Sequence, residues 1–189
     1  DSFLTALYDQ PGDTGAIDNS APQGKDGSIT LVDGRFSDAA VKEQVGAGYD
    51  LIISKNTLKR GYVQPPEGVK VDKRMLIDLG VDNETFLRAL YDALKPGGRL
   101  AIYNICPKQN EYASGKDDQP YLPMADGLCP FDRALFEKVG FKALVLDQDD
   151  SKAVREMARV LGWDKGERPM DLEKDLFAWL TVLEKQASP

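Results

Sequence analysis

Three stretches of this 189-residue chain gather the side chains best able to hold a polar small molecule. Asp33-Gly34-Arg35-Phe36 sets a carboxylate beside a glycine. The carboxylate accepts N–H donors, and the missing Cβ lets a ligand approach the backbone. Ser54-Lys55-Asn56-Thr57-Leu58-Lys59-Arg60-Gly61-Tyr62 offers Asn56 or Tyr62 to orient a substrate and Lys59 with Arg60 to bind an acidic one; the alternative is a solvated basic loop. Asn104-Ile105-Cys106-Pro107 contains a thiol with no base beside it, so Cys106 reads as a small apolar liner and not a nucleophile. Tyr112, Tyr121 and Asp126 can close over such a site as a lid. The chain has no histidine, which removes His-based triads, His general bases and His metal ligands. Its two cysteines, Cys106 and Cys129, cannot complete a structural zinc site alone, and no metal is expected.

The elements that must position these stretches follow from hydrophobic pattern and turn residues. Residues 1–8 read as the opening of a helix and residues 9–27 as a loop rich in Gly, Pro, Asp, Asn and Ser. Ser28 to Val32 reads as a short strand, and Ser37 or Asp38 can cap a helix from Ala39 to Val45 that Gly46 and Gly48 end. Tyr49 to Ser54 is an apolar run expected as a strand buried on both faces. Residues 55–80 form a long connection. Asp82 or Asn83 then caps a helix whose stripe is Phe86, Leu87, Leu90 and Leu94, stopped by Pro96-Gly97-Gly98. Arg99 to Ile105 reads as a strand and residues 107–127 as a second long polar connection. Pro130 is expected at a helix N1 position, with Phe131, Ala134, Leu135 and Val139 forming one face and Gly140 ending it. Phe141 to Leu146 reads as a strand, and Val154, Met157, Ala158 and Leu161 as a helix stopped by Gly162. Leu176 to Lys185 fits a helix and a buried strand equally well. Strands alternating with helices imply an α/β sheet whose ligand sits beyond the carboxyl ends of the strands, so the loops after Val32, Ser54 and Ile105 should surround the site.

Gly48-Tyr-Asp-Leu-Ile-Ile-Ser54, followed about 40 residues later by Leu94-Lys-Pro-Gly-Gly-Arg-Leu-Ala-Ile-Tyr103, resembles the fourth- and fifth-strand motifs of class I S-adenosylmethionine-dependent methyltransferases. The Pro-Gly pair has a physical reason: proline at i+1 and glycine at i+2 are what a type II turn needs between helix and strand. The resemblance covers roughly residues 28–185, leaving 1–27 as a partial helix and loop before a domain at 28–189. It implies a Rossmann-like α/β sheet, mostly parallel with an antiparallel last strand, in the family order 3-2-1-4-5-7-6. Strand 3 is then Ile29–Val32, strand 4 Asp50–Ser54, strand 5 Leu100–Ile105, strand 6 Lys142–Leu146 and strand 7 Phe177–Leu183. The family's Gly-x-Gly-x-Gly loop has no counterpart, and strand 1, with strand 2 unless Asp1 ends it, is absent. The chain is therefore expected to be the C-terminal two-thirds of such an enzyme. A vacancy of about 14 Å beside strand 4 would be filled by an N-terminal fragment, a swapped segment or another copy. Alternatively strand 3 shifts across, or residues 1–47 are loosely held.

The same resemblance implies methyl transfer from S-adenosylmethionine to a small-molecule acceptor, and the sparse cysteine usage, two residues in the chain, suits reduced thiols in a cytoplasmic protein. Asp1 would meet the ribose hydroxyls, Asp33 the adenine amino group, and Gly34 and Ser54 would line the cofactor. Asn56, Lys59 and Tyr62 would face the methyl group and acceptor, Tyr62 adding a cation–π contact to the sulfonium. The absence of an Asn/Asp-Pro-Pro-Tyr motif argues against amide or base methylation. A non-catalytic, methyltransferase-like scaffold or subunit is the alternative, and a nucleotide-binding α/β protein of another kind is a weaker one. A net charge of -7 argues against general nucleic-acid binding and against adhesion to an anionic membrane. No apolar run approaches the ~20 residues of a membrane-spanning helix.

Overall fold

A computed structural model of the chain describes residues 16–20, 26–30, 32–108 and 121–187. It divides into two units, residues 1–46 and 47–189. In the first, β1 (Ala16–Ser20) pairs antiparallel with β2 (Asp26–Thr30), Ala16 opposite Thr30 and Ser20 opposite Asp26. Two sequence expectations change here. The stretch read as a loop over 9–27 contains a strand, and the strand placed at Ile29–Val32 is centred earlier and pairs locally with β1 in a two-stranded sheet of its own. A partner a few residues away closes a short loop, which costs less entropy than a remote pairing. The helix α1 (Ala39–Val45) follows, with Asp38 at its N-cap making no side-chain cap bond and Gly46 ending it at φ +73°. The helix expected at residues 1–8 lies outside the described residues.

The second unit is a four-stranded sheet ordered β3-β4-β6-β5. β3 (Tyr49–Lys55) runs parallel to β4 (Leu94–Cys106), Ile52 opposite Leu100 and Ser54 opposite Ile102. β6 (Phe177–Lys185) runs antiparallel to both neighbours, β4 and β5 (Phe141–Asp149). β3, β4 and β5 thus share one direction. The ambiguous segment Leu176 to Lys185 resolves as a strand from Phe177 onward, because pairing on both sides satisfies its backbone. β3 departs from expectation. It is an edge strand, and Leu51 and Ile53 are 52% and 64% exposed, so it is not buried on both faces.

Between β3 and β4 lie a helical turn α2 (Arg60–Val63), a 3-10 turn Lys73–Met75 and the helix α3 (Asn83–Ala93). Asp82 caps α3, its carboxylate accepting from the Thr85 N–H at 2.9 Å. Phe86, Leu87, Leu90 and Ala93 are its buried face. Leu94, expected to close that stripe, already belongs to β4. It pairs with Tyr49, and the chain then swings out through Lys95-Pro-Gly-Gly98 before Arg99 rejoins opposite Leu51. Gly97 has φ +77°, as a type II turn requires at i+2. Lys185 closes the other end of α3, its ammonium donating to the Tyr91 and Leu94 carbonyls at 2.9 and 2.8 Å.

α4 (Arg133–Val139) starts at Asp132, whose carboxylate accepts from the Leu135 N–H at 2.8 Å, so Pro130 lies before the cap and not at N1. Its buried face is Phe136 and Val139; Ala134 is exposed. Tyr91, Phe136 and Phe141 meet edge-to-face, Phe141 5.0 Å from Tyr91 and 6.4 Å from Phe136, which ties α3 and α4 to one face of the sheet. On the opposite face, α5 (Ser151–Val160) buries Val154 and Ala158 with Leu172, Leu176 and Ala178, against Tyr103 and Ile105 of β4. Met157 and Leu161, expected in that stripe, are 40% and 58% exposed. A short helix α6 (Leu172–Asp175) leads into β6, and Arg155 holds the junction by donating to the Leu172 and Leu176 carbonyls, both at 2.9 Å.

The two glycines of the β4 turn should differ on mutation. A Cβ at Gly98 would meet the Tyr49 and Lys95 carbonyl oxygens at 2.8 and 2.9 Å, whereas one at Gly97 meets nothing and faces only its positive φ. Gly97→Ala should cost about 1 kcal/mol, and Gly98→Ala about 1–3 kcal/mol because backbone atoms must move. Urea unfolding of both variants checks the order; equal costs would contradict this geometry.

Candidate functional site

β3 ends at Lys55 and β4 at Cys106, side by side and pointing the same way, so the loops after them form one rim. Asn56 turns the chain at the end of β3 with φ +61°, a left-handed conformation that asparagine tolerates. Its N–H donates to the Tyr103 carbonyl at 3.0 Å, and its side-chain oxygen accepts from the Ile105 N–H at 2.7 Å. Asn56 thereby extends the β3–β4 ladder past its last regular pair. Three residues on, Lys59 is 4% exposed. Its ammonium donates to the Ile105 carbonyl at 2.6 Å and the Met124 carbonyl at 3.3 Å, and lies 5.4 Å from the centre of the Tyr62 ring. Burial lowers the Lys59 pKa, and the nearby Cys106 opposes that. Tyr62 is half-buried, and its phenol pKa is raised by burial.

The residues before α4 face this loop and are largely buried, although the sequence reads there as a polar connection. Asn104 of β4, 1% exposed, donates through its amide nitrogen to the Leu58 carbonyl at 2.8 Å and the Gly127 carbonyl at 3.0 Å, joining the two loops. Gly61 packs directly on the Pro123 carbonyl, a closeness that no side chain would allow. The Arg60 N–H donates to the Leu128 carbonyl at 2.7 Å. Its side-chain Nε donates to Asp126 Oδ2 at 2.8 Å, and the Tyr121 hydroxyl donates to the same oxygen at 3.0 Å. Asp126 has no solvent exposure. Beyond it stands Asp147, on a bulge in β5 between Val145 and Gln148 with φ +48°. One carboxylate oxygen of Asp147 accepts from the Cys129 N–H at 2.7 Å, and its own N–H donates to Thr181 Oγ1 at 3.1 Å. Burial raises the Asp147 pKa, the Cys129 N–H and Arg60 pull it back, and Asp126 adds to the rise.

The sequence-derived candidates divide. Ser54, Asn56, Lys59 and Tyr62 share the rim of β3, and Asn56 and Lys59 are engaged with backbone there. Asp33 and Gly34 belong to the first unit; Asp33 is exposed, and Gly34, at φ +138°, faces the Val41 side chain. Asp1 and Tyr112 lie outside the described residues. Tyr121 and Asp126, taken as lid residues, are built into the rim. Cys106 and Cys129 are buried free thiols; burial raises both pKa values, and Lys59 and Trp179 oppose that at Cys106. Sequence reasoning missed Asp147, which has no motif around it, and the anchoring of Arg60. Among the described residues no group of three His, Cys, Asp or Glu side chains can hold a metal ion, and no helix is long and apolar enough to cross a membrane.

No family model matches the chain, and no curated protein does. Solved structures share part of the backbone. The cyclase SpnF matches at a TM-score of 0.34 with 12% identity, over 75% of this chain and 51% of that one. A candidate sarcosine dimethylglycine methyltransferase from Galdieria sulphuraria matches at 0.34 with 14% identity, over 81% and 58%. The Haemonchus contortus phospholethanolamine N-methyltransferase 2, solved with phosphomonomethylethanolamine and S-adenosylhomocysteine, matches at 0.33 with 10% identity, over 74% and 34%. The chain spans between about a third and three-fifths of the length of these structures.

The buried rim makes a prediction about alkaline pH. Burial pushes the Cys129 thiol from 9.0 up to about 12, so between those values the unfolded chain loses a proton that the folded chain keeps. The stabilisation is complete below pH 9 and is lost as pH rises towards 12. The urea midpoint should fall across that range, and it should fall less steeply in Cys129→Ala. Parallel slopes for the two proteins would contradict the assignment.

Proposed function

We propose that the chain forms the acceptor-side half of an S-adenosylmethionine-dependent methyltransferase acting on a small molecule. One observation carries this reading. The two motif strands are adjacent and parallel, and their carboxyl ends bear a single rim in which Asn56, Lys59, Arg60 and Tyr62 come together. The order β3-β4-β6-β5 with β6 reversed corresponds to the last four places of the expected 4-5-7-6 arrangement, which supports the same reading. When bound, S-adenosylmethionine would supply an electrophilic methyl group on a sulfonium. The residues of this chain would then orient the acceptor atom in line with it and keep water out. Ser54 offers a hydroxyl and Tyr62 a phenol to a ligand on the rim, and Asn56 and Lys59 hold the loop that carries Tyr62 in place. The glycine-rich loop of such enzymes has no counterpart in this sequence and would come from another segment or chain.

A second reading, a non-catalytic scaffold of the same fold, is favoured by the engagement of Asn56 and Lys59 with backbone groups. Calorimetry separates the two. S-adenosylmethionine titrated into the product of the complete gene should bind at one site per chain, and the 189-residue chain alone should bind it more weakly. Absence of binding by the complete product would exclude the enzymatic reading.

A further inference from the structure

Arg60 is the cation on this rim that the fold both fixes and leaves open. Its Nε is turned to Asp126, which has no solvent exposure, yet 37% of the Arg60 side chain remains exposed. Neither Nη atom bonds an acceptor among the described residues, whereas Lys59 beside it spends its ammonium on two carbonyls. Guanidinium has five N–H donors in a planar fork, and an edge left vacant matches the two oxygens of a carboxylate or phosphate. The position of that fork is set in advance. Asp126 is itself held by the Tyr121 hydroxyl, and the Arg60 and Gly61 backbones donate to the Leu128 and Asp126 carbonyls at 2.7 and 3.2 Å. Little ordering of the side chain is therefore left for a ligand to impose.

Among the described residues the groups facing Arg60 are Asp126, Tyr121 and Asp147, with Lys59 next in sequence. Burial raises the Asp147 pKa, Arg60 opposes that rise, and the exposed part of the Arg60 guanidinium is the face open to an incoming negative group. We propose that Arg60 is an oxyanion receptor, so that the small molecule taken at this rim carries a carboxylate or phosphate group. This deepens the methyl-transfer reading, on which the identity of the ligand as an acceptor rests.

The test needs no methyl donor. The 15N-labelled chain is titrated with sodium acetate and, separately, with methyl phosphate at constant ionic strength, following the Arg60 Nε–H and the Gly61 and Tyr62 amides. At least one anion should produce saturable shifts at these positions, and the one that saturates at lower concentration identifies the source as carboxylate or phosphate. Arg60→Lys keeps the charge but loses the fork and should weaken binding about tenfold; Asp126→Asn, which loosens the anchor, should weaken it less. Non-saturating shifts with both anions, or saturation unchanged in Arg60→Lys, would overturn the proposal. The wild-type titration decides the matter even if a variant does not fold. Anion binding without S-adenosylmethionine binding would remove the methyl-transfer reading alone, and the reverse would remove this inference alone.

Discussion

Backbone groups taken out of water must find partners, and at the carboxyl edge of the sheet that requirement falls on Asn104 and Lys59. Between them they satisfy four carbonyls, those of Leu58, Gly127, Ile105 and Met124. A buried carbonyl without a partner costs about 1–3 kcal/mol, so these two side chains decide whether the loops after β3 and β4 can lie together. Burial of Lys59 disfavours its charge, and the nearby Cys106 opposes that in part. Asn104 leaves its own Oδ1 without a protein donor among the described residues. Everything else on the rim, including the helical turn that carries Arg60 and Tyr62, stands on this junction.

Two separate features of β3 follow from its place. Its carboxyl end is closed by Asn56 and joined to β4, whereas no strand among the described residues of this unit pairs with its other side, and Leu51 and Ile53 are exposed. Strand edges with exposed apolar side chains tend to pair with further strands. The rim and the sheet edge are thus distinct surfaces, one polar and internally bonded, the other apolar.

Much of the second unit could be read from the chain, because the signals there were local and mutually consistent. Asp82 with Thr85 marked a helix start, Pro96-Gly97 a turn, Gly140 a helix end, and the run Tyr49–Ser54 a strand. What failed was information that only tertiary packing supplies. The apolar character of Leu51 and Ile53 suggested burial, but the strand lies at an edge. Spacing places Ala134 and Leu161 in buried stripes, yet the helices are short: the first turns Phe136 inward instead, and the second buries only Val154 and Ala158 of the expected set. Phe177–Lys185 had no decisive periodicity because both of its faces are partly covered. For the site, Asn56, Lys59 and Tyr62 were legible as a polar group after a strand. The distant partner of Lys59 was not, since Met124 lies 65 residues further along the chain and nothing in its residue type announces the meeting.

The central claim is that a sulfonium donor docks at the joined carboxyl ends of β3 and β4. Hydrogen exchange followed by mass spectrometry, with and without S-adenosylmethionine, tests it directly. The account predicts slowed exchange in peptides covering residues 54–63 and 104–107, with the strands of the opposite sheet end unchanged. Unaltered exchange across both peptides in a preparation that binds the donor would contradict it.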